Sequence, residues 1–154
     1  MQPRVDTLGQ RKTGHVFGTI ALEDARFSYR FADIFNGHTF HEFLLQTVEE
    51  YTPRKVFMVI DNGPCHWLVD AGKAWLAANP DAIELHRLPA YSPELNPIEG
   101  VWKITRKLAT HNRYYLTTAD RDNSIRATFA SFKARPAQLD AQVRRFRDDD
   151  RLNA

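Results

Sequence analysis

Residues 55–61, KVFMVID, hold five apolar residues in a row and then end on an acid. Such a run, rich in β-branched side chains and without alternation, suits a β-strand buried on both faces. Such a strand belongs in the middle of a mixed or parallel sheet, and with strand–helix–strand units around it the chain reads as a layered α/β domain. The run also puts Asp61 at the C-terminal end of a central strand, the edge where open α/β sheets carry their sites.

The flanking segments supply the rest of the layers. Residues 15–22 (HVFGTIAL) and 26–35 (RFSYRFADIF) are β-rich runs that read as an antiparallel hairpin. Phe27, Tyr29 and Phe31 share one face of the second run by period-two alternation. In residues 38–51, Phe40, Phe43, Leu44, Thr47, Val48 and Tyr51 fall on one helical stripe, and Pro53 ends it. Residues 66–79 read as a helix after the NGPC turn, and 82–90 as another strand. Three prolines then fall within nine residues, 89–97, before a helix over 97–110 with Ile98, Val101, Trp102, Thr105 and Leu108 on one side. Residues 117–134 and 136–147 read as two further helices, and 148–154, with its Asp run, as a frayed tail. The order β-β-α-β-α-β-α-α-α, without repeat or low-complexity linker, fits one α/β domain in 154 residues.

Charge narrows the choice of partner. The net +2 conceals an asymmetry: residues 1–100 hold 9 Lys+Arg against 13 Asp+Glu, and residues 101–154 hold 12 against 6. A basic C-terminal third fits a polyanion, with solvated helix faces as the plainer explanation. Cys65 is the only cysteine, so no intrachain disulfide is expected, and with no second thiol it reads as buried and inert. No apolar run approaches the roughly 20 residues needed to cross a bilayer, so no membrane partner is expected.

Two acids stand where chemistry is plausible. Asp61 either organises the DNGP turn or enters a crevice beyond the strand end. Glu99 lies in the first turn of the helix after the next strand. Asn96 as N-cap, Pro97 at N1 and Glu99 at N3 together look like a capping box, which competes for the oxygens a metal would need. His66 either borders the site or merely starts a helix. Trp67, Trp75 and Trp102 are expected in the core.

The ordered set VFMVIDNGPCHW, WLAANP and IELHRLPAYSPELNPIEGVWKITRKL resembles the catalytic core of bacterial insertion-sequence transposases of the mariner-like superfamily. The resemblance runs over about residues 16–116. It implies an RNase H-like mixed sheet flanked by helices and an acid triad that binds two Mg²⁺ or Mn²⁺ ions. The second and last acids map onto Asp61 and Glu99, with Asn62, His66 and Asn96 at the border. It further implies DNA as partner, both transposon ends and target, and a bacterial cytoplasmic setting. Two-metal catalysis clamps the attacking and leaving oxygens of an in-line phosphoryl displacement. Lys103, Arg106 and Lys107, and the cluster Arg144, Arg145 and Arg147, are the candidates for phosphate contacts.

One part of the family pattern is missing. Asp6 is the only acid before the hairpin, and it sits in a Gly/Gln/Arg-rich segment rather than in an apolar strand. The expectation is therefore a core over 1–116 without its first, central strand, with helices 117–147 packed on the same domain. The N-terminal DNA-reading helix-turn-helix is expected to be absent too. Without that strand the hairpin and the later strands must re-pair, recruit residues 1–8 or take a strand from another chain, including a second copy in a homodimer. A C-terminal transposase fragment, weak or inactive alone, and a catalytically dead nucleic-acid-binding remnant are the two functional expectations.

Overall fold

The computed structural model describes residues 15–147, so Asp6, any pairing by residues 1–8 and the tail 148–154 lie outside the described residues. Two short sheets form. Strands β1 (His15–Ile20) and β2 (Phe27–Ala32) pair antiparallel, with Phe17 opposite Arg30 and Ile20 opposite Phe27. Strands β3 (Val56–Ile60) and β4 (Ile83–Arg87) pair parallel, with Val56 opposite Ile83 and Ile60 opposite Arg87. No ladder joins the two sheets among the described residues, so β1 and β3 each keep one unpaired edge.

Helix α1 (Gly37–Tyr51) carries the chain from β2 to β3, and α2 (Asp70–Ala78) carries it from β3 to β4. The start of α1 is fixed by a capping box. Asn36 Oδ1 accepts from His38 N and Thr39 N, both at 3.0 Å, and Thr39 Oγ1 accepts from Asn36 N at 3.2 Å. Such a cap is worth about 1 kcal/mol. A Cβ at Gly37 would collide with the carbonyl oxygen of Trp67, so only glycine lets this helix start press against the loop after β3.

Alternation divides the apolar side chains into two cores. Phe17 of β1 turns to one face and meets Phe40, Phe43 and Leu44 of α1 with Met58 and Ile60 of β3. Val16 and Ile20 turn to the other, with Phe27, Tyr29 and Phe31 of β2, and are covered there by the C-terminal helices. Those are α3 (Ile98–Thr105), α4 (Thr118–Ala134) and α5 (Asp140–Arg147), contributing Val101, Phe129, Phe132 and Val143. The result is a mixed α/β architecture with small sheets flanked by helices.

Several sequence-based expectations are corrected. Strand β3 is buried on one face only: Met58 and Ile60 point inward, while Phe57 and Val59 are exposed. The C-terminal helices cover the β1–β2 hairpin and leave that face of β3–β4 open. The helix expected over 66–79 begins only at Asp70, behind a 3₁₀ turn at Pro64–His66. Trp67 is exposed, although Trp75 and Trp102 pack on the cores as expected. Leu108 is also exposed, because α3 runs into a π-helical turn at Arg106–Thr110. The wider turn shifts the phase of the stripe, and Ala109 takes the inward position.

Candidate active site

Both parallel strands end at one edge, and hydrogen bonds lock their exits together. Leu88 N donates to Ile60 O at 2.8 Å, and Asn62 Nδ2 donates to Leu88 O at 2.8 Å. Arg87, the last residue of β4, reaches across with its guanidinium to His66 O at 2.9 Å and Asp61 O at 3.4 Å. The same guanidinium lies 4.1 Å from the centre of the Trp67 ring. The loop that carries Asp61 is therefore braced from the neighbouring strand.

Asp61 divides its two oxygens between two jobs. Oδ1 accepts from Gly63 N at 2.8 Å and lies 2.7 Å from His66 Nδ1, an arrangement in which the imidazole donates. Oδ2 accepts no hydrogen bond among the described residues. The turn-organising role and a site role are thus compatible in one side chain. His66 does not start a helix; it closes the 3₁₀ turn and holds Asp61.

Glu99 is freer still. The capping box expected of Asn96 and Glu99 does not form, because Asn96 N is already committed to Pro93 O at 3.0 Å in a 3₁₀ turn. Buried Asn96 instead points Oδ1 at Ile98 N, 3.4 Å away, and its carbonyl accepts from Glu99 N at 3.1 Å. No hydrogen bond or ion pair engages the Glu99 carboxylate among the described residues. The prolines and Asn96 fix the backbone while the acid stays uncommitted.

Asp61, Asn62, Leu88, Tyr91, Asn96 and Glu99 all line one cleft of about 160 Å³. His66 stands behind Asp61 rather than on this lining, and Lys103, Arg106 and Lys107 are exposed further along α3 and its π turn, without an ion pair among the described residues. The other basic cluster has partners within the chain. Arg144 and Arg147 pair with Asp140 at 3.0 and 2.7 Å, and Arg145 donates to Glu94 O at 2.8 Å. Arg87 and Tyr91 were missed by sequence reasoning. A strand-terminal arginine carries no signal of its own, and the backbone conformation of Tyr91 is not legible from LPAYSP.

Carboxylate and amide oxygens at a strand edge are hard donors, the kind that Mg²⁺ or Mn²⁺ takes. Asp61 Oδ2 and Glu99 are donors of that kind, and both line the same cleft. A pair of ions would need more, since no group of three or more His, Cys, Asp or Glu able to hold a metal occurs among the described residues.

Cys65, half-buried beside this site rather than fully buried, reports on its charge. Burial, and then the nearby Asp61 carboxylate, push its thiol above the usual value of 9.0. A raised pKa leaves little thiolate at pH 8, so alkylation by iodoacetamide should be slow there and climb about tenfold per pH unit. Asp61→Asn removes one of the two causes and should speed alkylation at pH 8. An unchanged or slower rate in that variant would show that the carboxylate does not face the thiol.

Two small sheets, one antiparallel and one parallel, flanked by helices make a mixed α/β architecture of the RNase H-like kind. The sequence agrees: residues 1–120 match the family model described as DDE superfamily endonuclease, and the chain belongs to that family. No curated protein matches the chain.

Proposed function

We propose that this domain is the catalytic part of an insertion-sequence transposase of the mariner-like kind, which cuts transposon ends and joins them to target DNA. The observation that carries this reading is the pair Asp61 and Glu99, which line one cleft with Asp61 Oδ2 and the Glu99 carboxylate engaged by no other described group. A bound Mg²⁺ or Mn²⁺ would neutralise charge at the reacting phosphate and lower the pKa of a bound water. The chain's own residues do the positioning. Gly63 N–H and His66 orient Asp61, Asn62 ties that loop to β4, and Asn96 sets the helix start that presents Glu99. Lys103, Arg106 and Lys107 are exposed cations on the continuation of that helix, suited to backbone phosphates.

The open edges of β1 and β3 shape the rest of the proposal. Both strands contribute to one core through Phe17, Met58 and Ile60, yet neither bonds to the other. A further strand seated between them would pair both edges, and an aspartate at its end would join Asp61 and Glu99 as the third acid. On this reading the described residues form an incomplete centre, weak alone. A strand from a separate polypeptide, or from a second copy in a homodimer, would complete it. No described helix is long and apolar enough to cross a membrane.

The second reading, a remnant that binds nucleic acid without chemistry, is favoured by the exposed cations on α3 and its π turn and by the lack of a third acid beside Asp61 and Glu99 among the described residues. Nicking of supercoiled DNA separates the two. The transposase reading expects slow Mn²⁺- or Mg²⁺-dependent nicking, raised by a polypeptide carrying an apolar strand that ends in Asp. Salt-sensitive DNA binding with no nicking, with or without that strand, supports the remnant. Replacing Lys103, Arg106 and Lys107 by Ala should lower the salt slope of binding by about 2–3.

A further inference from the structure

We propose that Tyr91 is a stacking platform for an unpaired nucleobase at the mouth of the carboxylate cleft. The inference rests on the reading of that cleft as a DNA-cutting site. The loop between β4 and α3 is stiffened by Pro89, Pro93 and Pro97, and Tyr91 stands between the first two. Its φ is 57°, in the left-handed region that bulky side chains rarely enter.

The other described residues with positive φ have local reasons for it. Ala25 is buried in the core and bonds its N–H to Ala21 O at 3.0 Å, closing the hairpin turn. Asn112 is a residue type that tolerates the conformation. Tyr91 has no such return. Its side chain makes no hydrogen bond and no ring contact among the described residues, and at 101% relative exposure it is held wholly in solvent. Strain that contributes nothing to the fold, beside a functional cleft, points to a ligand.

The ligand's chemistry follows from the ring and from the room available. A cleft of about 160 Å³ is well under the roughly 300–1,000 Å³ of pockets that enclose a drug-sized molecule. It can take a phosphate group, and the base attached to it must then lie at the rim. A flat aromatic face there matches the π-face of any base and is tolerant of sequence. Paired bases within a duplex hide their faces in the stack, so the matching substrate has an unpaired nucleotide next to the scissile phosphate.

The test uses the full chain and oligonucleotides carrying 2-aminopurine, either unpaired next to a junction or fully paired, in the absence of metal. The wild type should quench the unpaired probe. Tyr91→Ala should abolish that quenching and weaken binding of the unpaired probe by about 5- to 150-fold, leaving the paired duplex little changed. Tyr91→Trp should keep both signals, and Tyr91→Gly, which relieves the backbone, should lose them as Ala does. Because the Tyr91 side chain is wholly exposed, Tyr91→Ala and Tyr91→Trp should melt as the wild type does, and Tyr91→Gly no lower. Unaltered affinity and quenching in Tyr91→Ala overturn the stacking role while leaving the cleft reading intact. A wild type with no affinity for either probe overturns both.

Discussion

Glu99→Gln in the completed centre should cut metal-dependent nicking by at least about a hundredfold, the scale seen when a group acting in a catalytic unit is removed. The swap preserves shape and removes the charge. Because no described hydrogen bond uses the Glu99 carboxylate, and the helix start is held by Asn96 and Pro93 instead, the fold should not register the change. Asp61→Asn should reach the same loss of activity with a structural cost as well. Its Oδ1 accepts from Gly63 N and His66, and an amide at that position supports the turn less well. Comparing melting temperatures with nicking rates therefore separates the two residues: Glu99 affects rate alone, Asp61 affects both. A Glu99→Gln protein that nicks DNA at the wild-type rate would remove this acid from the chemistry.

The largest stability effect is expected at Phe27. Its side chain is fully buried on β2, between Tyr29 and the C-terminal helices. Ring centroids lie 5.1 Å away at Phe129 and 5.9 Å away at Phe132, both edge-on, and 6.1 Å away at Trp102. Truncation leaves a cavity that this aromatic cluster cannot easily close, so Phe27→Ala should cost about 3–5 kcal/mol. That is a large share of the roughly 5–15 kcal/mol by which domains are stable. Trp102 lies on α3, three residues after Glu99, so the loss should also disturb the acid's support. Urea unfolding should show a lower midpoint with little change in slope. A cost below about 1 kcal/mol, typical of an ordinary substitution, would mean that the helices do not depend on this ring.

Elements with a strong period were legible in the sequence. The stripe from Phe40 to Tyr51 became α1, and the alternation of Phe27, Tyr29 and Phe31 became the face under α4. Asp61 and Glu99 were identified by their places after strands, and the structure puts both on one cleft. What was not legible depended on contacts between distant segments. Apolar composition could not say that the C-terminal helices would cover only the hairpin and leave Phe57 and Val59 exposed. The capping signals around Asn96 were read locally, but Pro93 O takes the backbone N–H that a box would have used. The arginines near the end of the chain read as a phosphate patch or solvated surface, and their pairing with Asp140 and Glu94 O left no mark in the sequence. A π turn likewise leaves no mark in a helical wheel, and it turned Leu108 outward.

The central claim is that Asp61 and Glu99 act together on one metal ion. A Mn²⁺ titration of the wild type, Asp61→Asn, Glu99→Gln and the double variant tests it most directly. Ligands of one ion should be strongly coupled, so each single change should weaken binding at least about tenfold and the double change should add little more. Mn²⁺ affinity that survives both substitutions, or losses that simply add, would contradict a shared site.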